Sequence, residues 1–134
     1  MAFRFTGVLS RAAPETVPPA ALMPGHVLRP LEAPQAGLAL KMPKWQPRRE
    51  MLEPYLEALG LLEHDWVFLA YETWSGPVDY VQRYGQIGDR RLESIAHYDQ
   101  KAARLYRDLM EEFGLAGEIE DFGPLRRGYF GLEG

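Results

Sequence analysis

Residues 66–84, which read WVFLAYETWSGPVDYVQRY, decide how this chain is expected to fold. The first six residues of the stretch are all apolar or aromatic, which is typical of a strand covered on both faces or lying at the centre of a sheet. Ser75-Gly76-Pro77 has the composition of a turn, and residues 78–84 return as a second strand-forming run. The stretch therefore predicts a β-hairpin.

Helical patterns lie on both sides of this hairpin. Apolar residues at helical spacing over 51–59 predict one helix, with Gly60 just after its end. A second apolar set with the same period predicts another helix within 90–113. This helix either runs continuously from about Arg90 or restarts at Asp99, whose carboxylate suits an N-cap.

Two further runs complete the predicted order of elements. Residues 37–42 read as a strand before the first helix, and residues 118–132 read as a final strand or small hairpin. The order strand, helix, strand, strand, helix, strand predicts an α+β fold with a ferredoxin-like βαββαβ core. Both helices would then cover one face of an antiparallel sheet, in a domain spanning residues 37–134.

The N-terminal region, residues 1–36, has a different composition. Residues 3–9 form a weakly alternating strand pattern, and residues 11–35 contain six prolines, each of which removes a backbone donor and restricts the residue before it. We expect an N-terminal strand and a Pro-rich extended arm with a brief strand at 26–28. So long a loop either wraps the surface, reaches a partner or is partly mobile.

Charge also divides the chain, at the start of the first predicted helix. Up to Arg49 there are seven basic and two acidic residues, a balance of +5, and from Glu50 onward eight basic and seventeen acidic ones, a balance of −9. The basic arm is therefore expected to lie on its own acidic body or on that of a second copy, which would make a homo-oligomer. The net charge of −4 argues against a dedicated nucleic-acid binder.

The composition excludes several classes of protein. There is no cysteine, so disulfides, thiolate metal sites and cysteine nucleophiles are excluded, and a cytoplasmic location is expected. No run approaches the ~18 apolar residues of a membrane helix. The sequence also lacks asparagine, which fits either heat adaptation or GC-rich coding, and both explanations stay open.

The hairpin carries the densest cluster of aromatic and acidic residues. Such side chains suit recognition of a protein partner with a basic surface or of an amine ligand. The alternative is that one hairpin face packs in the core, where we expect Trp66 and Phe68. The predicted binding residues are Tyr71, Glu72, Trp74, Asp79, Tyr80 and Tyr84.

Weak catalytic candidates are His64, Glu72 and His97. Glu63-His64-Asp65 could supply a general base, but neighbouring residues on a strand point to opposite faces, so a polar turn before a strand is the preferred interpretation. His26, His64 and His97 lack the paired spacing of a metal site, and no metal or cofactor is predicted.

The arginine pairs are also assigned to structure. Arg126-Arg127 would pair with nearby acids across the last turn, whereas Arg48-Arg49 and Arg90-Arg91 are expected to be solvated. No specific catalytic motif occurs in the sequence. We therefore expect a non-catalytic acidic binding module for a protein partner, comparable to antitoxin, immunity-type or regulatory interaction proteins. The alternative is a small carboxylate/His enzyme or ligand binder with a pocket between the 66–84 hairpin and the 90–113 helix, lined by Tyr71, Glu72, Tyr80 and His97.

Overall fold

The computed structural model describes residues 3–31, 36–43, 45–73 and 80–113. The tip of the hairpin, 74–79, and the predicted final strand or hairpin, 118–132, lie outside the described residues. Two short 3-10 helices, Pro14–Thr16 and Pro19–Ala21, lie between the first two strands. The other elements are β1 Phe3–Ser10, β2 Val27–Pro30, β3 Leu38–Lys41, α1 Arg49–Ala58, β4 Trp66–Thr73, β5 Tyr80–Ile87, β6 Arg90–Tyr98 and α2 Asp99–Glu112.

The six described strands form one antiparallel sheet in the order β2-β3-β1-β4-β5-β6. The predicted α+β class and the predicted hairpin of β4 and β5 are confirmed. The ferredoxin-like topology is not confirmed, because the strand order differs. The sheet also runs across residue 36, the predicted boundary between arm and body, since β1 and β2 belong to it.

β1 lies in the middle of the sheet because it is apolar on both faces. Val8 and Leu9 point to opposite faces and both are fully buried. Val8 pairs with Leu40 of β3 on one side and with Phe68 of β4 on the other. At Gly7 a Cβ atom would lie 2.0 Å from the Leu40 carbonyl oxygen, so this close approach of β3 requires glycine. The sequence pattern of β1 was too short to show this central position.

The two helices lie on opposite faces of the sheet, which corrects the prediction that both cover one face. Phe68 and its neighbour Leu69 point in opposite directions from β4. Phe68 packs in a cluster with Leu56 of α1, and Leu69 packs in a cluster with Leu109 of α2. Because β4 is apolar on both sides, one layer of helices would have left half of this surface in water. Neither described helix is long and apolar enough to cross a membrane.

The Pro-rich arm lies along the body of its own chain over the described residues 11–31. Ala12, Val17 and Leu31 are buried, and Val17 belongs to the cluster on the α1 face. Leu31 donates its backbone N–H to the Gly37 carbonyl, and β2 pairs with β3. The predicted brief strand is present as β2. Of the three predicted alternatives for the arm, this structure shows it wrapping the surface.

The predicted helix within 90–113 divides into strand β6 and helix α2. Helix α2 begins at Asp99, as the second alternative held, but its N-cap residue is Tyr98 rather than Asp99. A β-bulge explains why the strand was missed. Arg83 pairs with Ile95 and Gly85 pairs with Leu92, so Tyr84 alone faces two residues of β6. The bulge puts Leu92 and Ile95 on one face at a spacing of three, which imitates a helical pattern.

Candidate functional site

The sheet separates the residues that were predicted to line a pocket. Tyr71 pairs with Val81, and Val81 pairs with His97, so Tyr71 and His97 share the face of α2. Glu72 pairs with Tyr80, one residue further along, and these two side chains share the face of α1. A single pocket cannot be formed by all four side chains.

Two of the predicted recognition residues are core residues. Tyr84 is only 1% exposed, its ring stacks on Phe68 at 4.7 Å, and its hydroxyl donates a hydrogen bond of 2.6 Å to the Pro47 carbonyl. Burial raises the pKa of Tyr84 far above its usual value. Tyr71 is fully buried beside Phe5. Neither ring is available to a partner, while Trp74 and Asp79 lie outside the described residues. Trp66 and Phe68 are buried as predicted.

Tyr80 and Tyr98 form an exposed aromatic pair on the α1 face. Their ring centroids are 4.9 Å apart with the planes tilted by 48°, and Tyr98 is 60% exposed. The Tyr80 hydroxyl donates to Gln82 Oε1 at 3.1 Å, and Gln82 Nε2 donates to Ser94 Oγ at 3.4 Å. Burial, followed by the neighbouring Tyr98 and Glu72, raises the pKa of Tyr80. Polar contacts along β5 and β6 therefore hold Tyr80, and the Tyr98 ring rests against it.

Glu72 and Arg4 extend this pair into a row across four strands. Arg4 pairs with Glu72, Glu72 with Tyr80, and Tyr80 with Tyr98. We call these four residues the tyrosine row; at the usual spacing of strands it is about 14 Å wide. Arg4 Nη2 lies 3.5 Å from Glu72 Oε1, with side-chain exposures of 72% and 21%. The row thus offers an aromatic surface beside a carboxylate.

A second concave region, the bulge pocket, lies on the same face where α1 begins. Its volume is about 290 Å³. The β-bulge builds its floor, because Tyr84 faces both Glu93 and Ser94 of β6. Gln82 and Ser94 line it and also connect it with Tyr80. The lining residues are Arg48, Arg49, Glu50, Gln82, Tyr84, Arg91, Glu93 and Ser94.

Arg49 fixes the bulge pocket and is not solvated, which corrects the expectation for this residue, whereas Arg48 is exposed as expected. Its side chain is 11% exposed. Nη1 donates to the carbonyl oxygens of Gly85 and Leu92, at 2.9 and 3.2 Å, and Nε donates to Glu53 Oε2 at 3.1 Å. The guanidinium also lies over the Trp66 ring at 5.1 Å. Arg49 therefore satisfies carbonyl groups at the bulge and joins them to α1.

The weak catalytic candidates do not converge in the structure. His64 is exposed in the turn before β4, which fits the polar-turn interpretation. Asp65 has a structural contact, because its Oδ1 accepts the backbone N–H of Gly88 at 2.8 Å. Glu72 lies towards the far end of β4. Within the described ranges, no three His, Asp or Glu side chains are grouped to hold a metal ion.

Sequence reasoning missed Tyr98 and the polar residues of the bulge pocket. The reason is that 90–98 was interpreted as part of a helix, which placed Tyr98 on a different surface. One sequence signal could have found it: Ser94, Ala96 and Tyr98 alternate as one face of a strand that continues the hairpin beyond Gly88. Pairing that strand with β5 would have put Tyr98 beside Tyr80.

Comparisons with known proteins give no relative from which a function could be taken. Neither a protein-family model, nor a curated protein, nor a solved structure matches this chain. The tyrosine row and the bulge pocket, with their distances and charges, are therefore the features from which a function has to be argued.

Proposed function

We propose that this protein is a non-catalytic binding module that recognises a protein partner through the tyrosine row. The observation that supports this most directly is the 60% exposed Tyr98 ring, which rests on Tyr80 at 4.9 Å. A tyrosine ring contributes a large contact area at a low cost in side-chain entropy, and tyrosine is enriched at interface hot spots. Tyr80 keeps Tyr98 in place, so little ordering is needed when a partner binds.

The chemistry of the row fits a basic side chain of the partner. Glu72 lies beside the Tyr80 ring, and an arginine or lysine placed there would meet both a carboxylate and an aromatic face. Arg4 already contacts this carboxylate from within the chain, at 3.5 Å and with most of its side chain in solvent. The excess of acidic residues from Glu50 onward would favour the approach of a basic surface.

The bulge pocket extends the proposed surface along β5 and β6. From Tyr98 to Arg91 the edge strand covers roughly 23 Å at the usual rise of a strand. An extended segment of six or seven partner residues would span this distance. It would contact the tyrosine pair at one end, Gln82 and Ser94 in the middle, and Arg48 at the other end.

Affinity capture from the native host, followed by measurement of the purified complex, tests this proposal. We expect Tyr98→Ala to weaken the captured partner about 10- to 30-fold by calorimetry, as for a hot-spot residue, with the thermal melting curve unchanged. Met51→Ala is the matched control, because Met51 is 52% exposed on α1 and lies outside the row. A partner that binds Tyr98→Ala as tightly as the unmodified chain would contradict the proposal.

The other expectations stay predictions. An enzyme or ligand site between hairpin and helix gains no support, since Tyr71 and His97 lie on one face and Glu72 and Tyr80 on the other. Four further expectations also stay predictions: a role like that of antitoxin, immunity-type or regulatory proteins, a cytoplasmic location, heat adaptation, and self-association through the arm.

A further inference from the structure

A pocket larger than the bulge pocket lies near the start of β1, next to Arg4 at one end of the tyrosine row. Its volume is about 450 Å³, which is within the range of roughly 300–1,000 Å³ usual for small-molecule sites. Three parts of the chain form it: β1, the end of β3 and the segment that leads to α1. The lining residues are Arg4, Thr6, Lys41, Pro43, Trp45 and Gln46.

The aromatic side of this pocket is the Trp45 ring, which packs against His26 and Tyr55. The Trp45 ring lies 5.8 Å from His26 of the arm and 5.7 Å from Tyr55 of α1. The Tyr55 hydroxyl is in turn fixed, because it accepts the backbone N–H of Met23 at 3.0 Å and lies 2.9 Å from His26 Nδ1. Arm and helix together therefore position the indole that lines the pocket, which is how a preorganised ligand wall is built.

The charged side chain that faces this pocket is a cation, in contrast to the acidic body around it. Arg4 faces the pocket from β1, and the described lining includes no acidic residue. Lys41 pairs with Gly7, so its side chain leaves β3 towards the α2 face and Lys41 borders the pocket only at the end of that strand. Arg4 contacts Glu72 through Nη2 only at 3.5 Å and is 72% exposed, so other guanidinium N–H groups can still donate. Thr6 places a largely buried hydroxyl residue in the wall, and Gln46 adds an amide.

We propose that this pocket binds a small organic anion that carries an aromatic ring, either a carboxylate or a phosphate monoester. The ring packs against Trp45, and the anionic group is held by Arg4, with the Thr6 hydroxyl and the Gln46 amide as further hydrogen-bond donors. The pocket shares Arg4 with the tyrosine row but not Tyr98, so the Tyr98→Ala variant distinguishes this site from the proposed protein-binding surface.

The proposal is tested by titrating the full chain with small ligands and monitoring the indole N–H signals in two-dimensional NMR spectra. The chain has three tryptophans, and Trp45→Phe assigns the signal of interest. We expect phenyl phosphate or phenylacetate to shift the Trp45 signal saturably, with a Kd on the order of 1 mM. The neutral benzyl alcohol should bind at least about tenfold more weakly, since it lacks the charged hydrogen bonds. Whichever of the two anions binds with the lower Kd shows whether the pocket prefers a phosphate monoester or a carboxylate.

Matched variants distinguish the site from general charge attraction. We expect Arg4→Gln to weaken the anions at least about fivefold, whereas Glu72→Gln, which breaks the same ion pair but keeps the cation, should not weaken them. Arg29→Gln makes an equal charge change on the opposite face, since Arg29 pairs with Ala39 of the α2-face cluster, and it should have no effect. Tyr98→Ala should leave the affinity unchanged.

Three results would overturn the proposal. Equal binding of benzyl alcohol would show that the charge is not recognised, and equal binding of inorganic phosphate would show that the ring is not. Loss of affinity in Arg29→Gln as large as in Arg4→Gln would show that the pocket is not the site.

Discussion

Tyr84 and Tyr80 lie on the same strand and the same face of the sheet, yet one is core and the other is surface. Tyr84 is 1% exposed and packs in the cluster that includes Leu52 and Leu56 of α1. Tyr80, four residues earlier, is only partly buried and touches Tyr98. The difference shows that the position of α1, rather than residue type, separates a covered part of this face from an open part.

Removal of residues 1–35 is expected to have the largest effect on the covered part of this face. The deletion takes away β1, which carries Val8 between Leu40 and Phe68 in the covered part. We expect the shortened chain to show no cooperative thermal unfolding, because the sheet loses a central strand and both cores lose buried residues. A cooperative transition in circular dichroism would contradict this result. The same test shows whether residues 1–36 are separable from the body.

Alanine substitutions at the two tyrosines test the comparison directly. Tyr84→Ala should lower the free energy of unfolding by about 3–5 kcal/mol, since it empties a core site and leaves the Pro47 carbonyl without its donor. Tyr80→Ala should cost about 1 kcal/mol or less, because the site is near solvent and can rearrange. Urea unfolding of both variants gives the two values. Similar losses in both would show that α1 does not divide the face as described.

Arg49 lies at the border between the covered part and the bulge pocket. Arg49→Met keeps much of the side-chain volume but removes the donors to Gly85 and Leu92, so we expect a loss of about 2–3 kcal/mol. Arg48→Met is the control: Arg48 is exposed, and its replacement should change stability by less than about 0.5 kcal/mol. Urea unfolding measures both, and equal effects would contradict the role given to Arg49.

Features that depend on local sequence could be predicted, whereas features that depend on which strands become neighbours could not. The apolar run at the start of β4 correctly indicated a strand covered on both faces, and Gly60 with a φ of +75° correctly marked the end of α1. What failed was long-range: local pattern does not state which strands become neighbours, so β1 was placed outside the core. Glu72 and Tyr80 lie in the hairpin and could be identified as surface candidates from local sequence. Their neighbour Tyr98 was missed, because it joins them only through the pairing of β5 with β6.

His26 gives the smallest and most specific effect, because it connects the arm to the outer side of α1. Its Nδ1 lies 2.9 Å from the Tyr55 hydroxyl, which already accepts the Met23 N–H. The Tyr55 hydrogen can therefore be donated to neutral His26, and burial lowers the pKa of His26 below its usual 6.5. Protonation consequently favours the unfolded chain. The stabilising contribution is complete above pH 6.5 and is lost as the pH falls towards the lowered pKa.

The measurement is urea unfolding at several pH values between about 5 and 7.5, which brackets the ordinary pKa of histidine. We expect His26→Phe to flatten the part of the curve just below pH 6.5, because the titrating group is removed while an aromatic ring remains against Trp45. Tyr55→Phe should lower stability at every pH, because the Met23 hydrogen bond is lost, and most at neutral pH, where the contact with neutral His26 is lost as well. If both variants keep the pH profile and the stability of the unmodified chain, the arm is held on α1 by packing alone, and the hydrogen bonds at Tyr55 contribute nothing.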